Sequence, residues 1–226
     1  MPIRHEVEEG DSVLSLSEEH GLFANTIWND PDNTELKKKR KDMNVLMPGD
    51  VVVIRDLRIK ELDKPTTKQH VFRRKGIPAR YRLQIFDVEE PRKNQKYRLT
   101  VDGVLHEGRT DAHGVLQEYI PAGSRDGELV IGPDEFRVFL KFGYMDPINE
   151  LAGIQKRLNN IGYDCGDENG ELNDETKGAL KDFQRRFELP QTGEPDKKTV
   201  DQLEAIHDHP NEFPRPSEAS TQGGAK

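Results

Sequence analysis

Residues 151–206, LAGIQKRLNNIGYDCGDENGELNDETKGALKDFQRRFELPQTGEPDKKTVDQLEAI, carry three apolar stripes at helical spacing: Ile154, Leu158 and Ile161; Ala179, Leu180, Phe183 and Phe187; Val200, Leu203 and Ile206. Spacings of three and four gather each set on one helix face, and three such faces bury one another. The pattern therefore predicts a three-helix bundle over 147–209. A short repeat lies inside it, because Gly170 precedes Thr176 and Gly193 precedes Thr199 by the same six positions, with Asp174 and Asp196 ahead of the threonines. Each copy reads as a turn followed by a capped helix start.

Upstream, the period changes to two. Tyr81, Leu83 and Ile85 alternate, as do Tyr97, Leu99 and Val101, then Leu129 and Ile131, then Phe136, Val138 and Leu140. Turn residues at Asp102-Gly103, Asp111 with Gly114, Ala122-Gly123 and Gly132-Pro133 separate these runs, so a small antiparallel β-sandwich is expected over 80–146. Residues 57–79 are charged and contain Pro65, which reads as a linker with one isolated strand at 70–74. Nearest the N-terminus, 1–56 opens and closes on short strand-like pieces at 4–7 and 51–54. Between them Leu14, Leu16, Leu22, Phe23, Ile27 and Trp28 follow helical spacing behind Asp11 or Ser12 as N-cap. The spacing of Trp28 from Leu22 and Phe23 points to packing in a core rather than to stacking on a sugar. Strand, two helices, strand is the predicted order, with Pro48, Gly49 and Asp50 turning the chain into the last strand. The basic run Lys37, Lys38, Lys39, Arg40 and Lys41 reads as a solvated helix face. The fold class is thus multidomain α+β, and the tail 210–226, with its Pro, Ser and Gly, is expected to be disordered.

Composition narrows the function classes. Of 226 residues, 33% are hydrophobic and 34% charged, which suits several small cores rather than one large one. Lys and Arg total 34 against 42 for Asp and Glu, a net charge of -8, so nucleic acid is not an expected partner. Residues 1–10 hold no apolar run of the kind a secretory signal needs, and no segment has transmembrane length, so a protein made in the cytoplasm without membrane insertion is expected, one that reaches the envelope by another route.

The motif formed by Leu151, Gln155, Leu158, Gly162-Tyr163, Gly170, Thr176, Ala179-Leu180, Phe183-Gln184, Leu189, Thr192-Gly193 and Thr199 resembles the peptidoglycan-binding domain that accompanies many wall hydrolases. The resemblance implies noncovalent binding, with catalysis carried elsewhere, and wall-facing positions at Tyr163, Asp164, Asn169, Asn173 and Gln184. At the other end, His5 to Val7, Gly10-Asp11-Ser12, His20-Gly21, Ile27-Trp28-Asn29 and the run from Asn44 to Asp50 with Val53-Ile54 resemble a LysM domain. That resemblance implies a βααβ fold and a shallow groove for N-acetylglucosamine-containing glycan, lined by Gly10, Asp11, Ser12 and Leu14 from one loop and Asn29 and Pro31 from another. Here the chain departs from the pattern, because 34–43 lengthens the second loop with its basic run, which would rim the groove, block it or make a protein contact. The middle, Tyr97 to Gly103, then Gly108 to Gly114, then Ile120-Pro121, resembles transthyretin-like modules found on spike and accessory proteins of contractile injection systems of the type VI kind.

Catalytic and metal chemistry find little footing. Carboxylates are plentiful, but none sits in the apolar setting that would raise a glycosidase acid. The single cysteine, Cys165, lies in a tight turn of the C-terminal motif, which suits a small semi-buried side chain better than a nucleophile, and alone it offers no disulfide. His207 and His209 lack a third ligand at helical spacing, so no metal site is expected, and no glycine-rich phosphate fingerprint is present, so no cofactor is expected either. The expected function is non-enzymatic attachment to peptidoglycan by modules at both ends. The competing expectation is an adaptor of a contractile injection apparatus that contacts spike or baseplate protein, and a third, a wall-cutting effector, lacks a hydrolase motif.

Overall fold

The computed structural model describes residues 1–57, 67–69, 79–87 and 90–209. They fall into two compact units, Met1–Tyr144 and Met145 onward. The isolated strand expected at 70–74, much of the linker and the tail 210–226 lie outside the described residues. The architecture is mixed α+β, with small antiparallel sheets and several helices.

The first unit holds two hydrophobic cores. Around the first, β1 (Ile3–Glu6) pairs antiparallel with β2 (Val51–Ile54), Ile3 opposite Ile54 and Glu6 opposite Val51. Between them lie α1 (Val13–Glu19), α2 (Ala24–Trp28), a 3-10 turn over Pro31–Asn33 and α3 (Thr34–Arg40). Ser12, not Asp11, caps α1. Its hydroxyl accepts from the Ser15 N–H at 3.0 Å, while the Ser15 hydroxyl accepts from the Ser12 N–H at 2.9 Å, so two otherwise orphaned donors are satisfied reciprocally. Val7, Val13, Leu16, Ile27, Trp28, Leu36, Leu46, Val52 and Ile54 are buried together.

The basic segment, folded as α3, is the departure from the expected two-helix order. Leu36 and Arg40, four residues apart, turn inward from α3, while Lys37, Lys38 and Lys39 stay exposed. Arg40 pairs with Asp50, Nε to Oδ2 at 2.6 Å and Nη2 to Oδ1 at 3.1 Å, with both side chains under 5% exposed. Burial alone would raise the Asp50 carboxyl, but hydrogen bonds from Arg40, the Met47 N–H and Lys39 hold it below its ordinary value. The basic segment is therefore part of the core rather than a solvated face laid over it. Asn33 completes the packing: its Nδ2 donates to the carbonyls of Ile27 and Val53 at 2.8 Å, and its Oδ1 accepts from the Val53 N–H at 2.8 Å, so a side chain finishes the open edge of β2.

The second core lies between β3 (Ala79–Gln84) paired with β8 (Val115–Ile120) and a four-stranded antiparallel sheet. Between β3 and β8 come β4 (Phe86–Asp87), β5 (Glu90–Pro91), β6 (Lys96–Val101) and β7 (Val104–Arg109); β9 (Asp126–Ile131) and β10 (Phe136–Lys141) follow. The order across the larger sheet is β10-β9-β6-β7. Tyr97, Leu99 and Val101 of β6 and Leu129 and Ile131 of β9 meet Leu116 and Ile120 of β8 in one cluster, the alternation that the sequence pattern predicts. At the turn into β8, Asp111 accepts from the N–H groups of His113 at 2.7 Å and Val115 at 2.9 Å. Gly114 adopts φ +73°, and a Cβ there would meet the Ile85 carbonyl at 2.8 Å, so only glycine fits.

Among its described residues the second unit has three helices, α4 (Leu151–Asn160), α5 (Asp174–Arg186) and α6 (Lys197–Asp208), around Ile154, Leu158, Ala179, Leu180, Phe183 and Leu203. Asn173 caps α5 through the Thr176 N–H at 2.8 Å and Asp196 caps α6 through the Thr199 N–H at 3.0 Å. The cap of the first copy of the repeat is therefore Asn173, one residue before the Asp174 that the spacing suggested. Arg157, buried on α4, donates to the carbonyls of Asp146 at 2.8 Å and Gly153 at 2.9 Å and to the Asp208 carboxylate at 3.1 Å. One guanidinium thus ties the approach to α4 to the end of α6. Gly153 has no room for a Cβ because the Pro147 carbonyl lies against it.

Candidate functional site

In the second unit the two copies of the repeat share one device. Gln155 accepts from the Gly170 N–H at 2.8 Å and donates to the Glu171 carbonyl at 3.0 Å and the Thr176 hydroxyl at 2.9 Å. Gln184 does the same one repeat later, accepting from the Gly193 N–H at 2.9 Å and donating to the Glu194 carbonyl at 3.0 Å and to the Thr192 and Thr199 hydroxyls at 2.9 Å. Each glutamine is wholly buried and clamps a glycine turn onto the next helix. Gln184, expected to face the wall, is therefore an interior latch, and Asn173 spends its Oδ1 on its cap.

The copies differ in one respect. Gln155 precedes its threonine by 21 positions and Gln184 by 15, so the first copy carries six extra residues, half of them lengthening the helix beyond its glutamine and half lengthening the loop after α4. Asn159 holds that loop in shape, accepting from the Cys165 N–H at 2.9 Å and donating to the Gly166 carbonyl at 3.2 Å and to Glu168 at 3.1 Å. Of the other predicted positions, Tyr163 is half-buried and edge-on to Phe183, with ring centroids 5.5 Å apart. Asp164 and Asn169 are exposed, and each spends one oxygen on the loop itself, Asp164 on the Gly166 N–H and Asn169 on the Glu171 N–H. Asp167, Glu168 and Gly170 are exposed beside them. The result is an outward, acidic, preorganised loop over 163–170. Cys165 lies beneath it, its thiol pushed up to about 11 by burial and by the carboxylates of Glu168 and Asp164, so it is protonated at neutral pH.

The N-terminal positions are arranged otherwise. Gly10 is buried, and its carbonyl accepts from Arg125 Nη1; Arg125 Nη2 also donates to Asp11 at 2.9 Å. His5 lies 2.8 Å from the other Asp11 oxygen. Burial acts to raise the Asp11 carboxyl, but His5, the Glu8 N–H and Arg125 outweigh it and hold the carboxyl low. Gly143 lies against the Gly10 carbonyl with no room for a Cβ, and Glu18 accepts from the Ala122 N–H at 2.9 Å. Ser12, predicted to face a ligand, is instead a buried cap, and Leu14 packs partly into the first core. On the second loop, Asn29 is exposed, yet its Oδ1 accepts from Lys37 Nζ at 2.6 Å and its Nδ2 donates to the Asn25 carbonyl at 2.9 Å; Pro31 is exposed. Lys37 also stands 6.0 Å above the ring of buried Trp28. Both predicted groove loops are thus engaged by the chain's own cations. Arg125 is invisible to motif reading because it lies 114 residues from Asp11. Lys37, by contrast, stands in the basic run that the sequence displays directly.

Residues 149–203 match the family model described as "peptidoglycan binding domain", a span that takes in α4, α5, the loop between them and most of α6. No curated protein and no solved structure matches the chain. Among the described residues, no helix is long and apolar enough to cross a membrane.

Proposed function

We propose that this chain holds peptidoglycan noncovalently, breaking no bond in it, and that the 163–170 loop of the second unit is the main contact. The carrying observation is the family match over 149–203 on a unit whose one elaborated loop is exposed and preorganised. Preorganisation matters because a polymer of sugars and short peptides is gripped through many modest hydrogen bonds, each worth more when the protein partner is already ordered. Asp164, Asn169 and the rim of Tyr163 supply polar and aromatic surface of that kind. The buried, protonated Cys165 supports binding over thiol chemistry.

An NMR titration of the full chain with a soluble muropeptide tests this. The amides of 163–170 should shift, with the buried Gln184 side chain unmoved; shifts confined to the first unit, or none, would reverse the assignment.

A second reading, an adaptor that contacts spike or baseplate protein of a contractile injection system, draws on the resemblance of the middle region and on one specific observation: Arg125 and Lys37 occupy the loops through which a LysM-like module would take glycan. In this reading the N-terminal part serves protein contact and wall attachment falls to the second unit alone. Glycan capture at both ends would require Arg125 to leave Asp11. A chitin oligosaccharide that shifts the amides of Asp11 and Asn29 in the unaltered chain favours two-ended attachment; an unshifted first unit favours the adaptor.

A further inference from the structure

Exposed apolar side chains are concentrated on two strands. Of the ten large hydrophobic residues exposed among the described residues, Val104, Leu105, Phe136 and Phe139 lie on β7 and β10, with Phe139 at 81% and Leu105 at 55%. These are the two outer strands of the four-stranded sheet, and among the described residues neither has a strand partner on its outer side. A long apolar edge invites pairing with another chain, and proteins usually blunt it. Here both edges of one sheet are left apolar at matching heights.

The registers give the heights. Across the sheet, Arg137, Val130, Arg98 and Glu107 form one row, and Phe139, Glu128, Thr100 and Leu105 the next. Strand β10 runs with β6 and against β7, so a second copy's β10 laid antiparallel on β7 continues the same rows. We infer that the chain associates with copies of itself in this way, β10 of one molecule extending the sheet of the next at β7. On the outer face Arg137 then meets Glu107, Phe139 meets Leu105, and Glu135, just ahead of β10, meets Arg109. On the inner face Leu140 meets Val104 and Phe136 covers Gly108. Opposite charges face one another at two of these positions and apolar side chains at two more, the arrangement that stabilises neighbouring strands, with Arg137 and Glu135 also within reach of Glu128 and Arg98 of their own chain.

The two-fold pairings centred on Phe139 and on Glu107 fit less well. Pairing β10 with itself about Phe139 sets Arg137 against Lys141, and pairing β7 with itself about Glu107 sets two carboxylates together. Unlike edges meeting head to tail make open chains or rings rather than closed dimers. A single pair of six-residue strands is a small interface, so the association grows with concentration and reverses on dilution.

Cross-linking of the full chain tests the pairing without any glycan, so its outcome is separate from that of peptidoglycan binding. Directly opposed antiparallel residues lie about 4.5–5.5 Å apart at Cα, inside the roughly 4.4–6.8 Å that a disulfide spans. Leu105→Cys and Phe139→Cys change exposed positions, and the buried Cys165 of the unaltered chain sets the background. Under mild oxidation, a mixture of the two variants should give a cross-linked pair containing one of each, and either variant alone should give none above background. Efficient cross-linking by either variant alone, or none in the mixture, would overturn the inference. Sedimentation velocity adds a second reading. The concentration-dependent increase in sedimentation coefficient should fall in Arg137→Glu and in Glu107→Arg and return in the double variant, where the charges are exchanged. A chain that stays monomeric throughout, leaving both edges for a different protein, would also overturn it.

Discussion

Replacing Gln184 by Ala should unfold the second unit at much lower denaturant while leaving the first untouched. The side chain is wholly buried and makes four hydrogen bonds. Water can replace Gln184 at Thr192 and Glu194, which are exposed, but not at the Gly193 N–H or the Thr199 hydroxyl, which are sealed in. The Gly193 N–H left without a partner costs about 1–3 kcal/mol, and the space left by the lost side chain adds about 2 kcal/mol, so about 3–5 kcal/mol is expected. Gln155→Ala is the internal comparison. It costs less, because Gly170 and Glu171 are exposed and the Thr176 hydroxyl keeps the Cys165 carbonyl as an acceptor at 3.4 Å, so the emptied space dominates and about 2 kcal/mol is expected. Two optical probes separate the units. The only tryptophan, Trp28, belongs to the first unit, whereas the longest helices belong to the second and dominate circular dichroism at 222 nm. In urea, Gln184→Ala should lower the dichroism midpoint by about 2 M, Gln155→Ala by about half as much, and neither should move the Trp28 transition. Equal losses for the two variants, or a shift of the tryptophan signal, would refute the latch reasoning.

Arg40→Met leaves Asp50 buried with only Lys39 and the Met47 N–H as partners, so the Trp28 transition should lose about 2–3 kcal/mol at neutral pH; the loss should shrink toward pH 4 as the carboxyl, no longer held by Arg40, takes up a proton. In the unaltered chain Asp11 and Asp50 are both held low, so their contribution is complete above the ordinary carboxylate range and is lost as pH falls through the lowered values. The Trp28 transition measured in urea should accordingly be steady above about pH 5 and weaken only below about pH 4. Arg125→Ala should cost about 1–2 kcal/mol, discounted for a side chain one-third exposed, and should speed hydrogen exchange at Asp11 and Val13 without changing α6. Cys165 should react with a thiol reagent at pH 8 about 100-fold or more slowly than a free thiol, because its pKa is about 11, and should recover full reactivity in denaturant.

Periodicity made the helical faces and alternating strands legible, since burial follows period directly: Leu99 and Leu129 point inward and Arg98 outward as the pattern requires. Harder to read were features decided by tertiary partners. Ser12 rather than Asp11 became the cap because Asp11 is taken by His5 and Arg125. The basic insertion looked like a solvated face, yet Arg40 turns inward because Asp50 waits there to neutralise it. Gln184 looked like a surface reader from its place in the peptidoglycan-binding motif; only the pairing of its amide with a glycine turn and a threonine shows its interior role. The repeat itself held the clue, since the same Gly-to-Thr spacing recurs after each glutamine. The contact of Arg125 with Gly10 has no local signature and emerges only when the two cores of the first unit meet.

Co-sedimentation of the full chain with purified sacculi tests the central claim most directly. Saturable retention that falls in Asn159→Ala, where the 163–170 loop loses its clamp, with no muropeptide released into the supernatant, is the predicted result. Recovery of the chain in the supernatant at the level of an unrelated acidic protein, or release of soluble wall fragments, would contradict it.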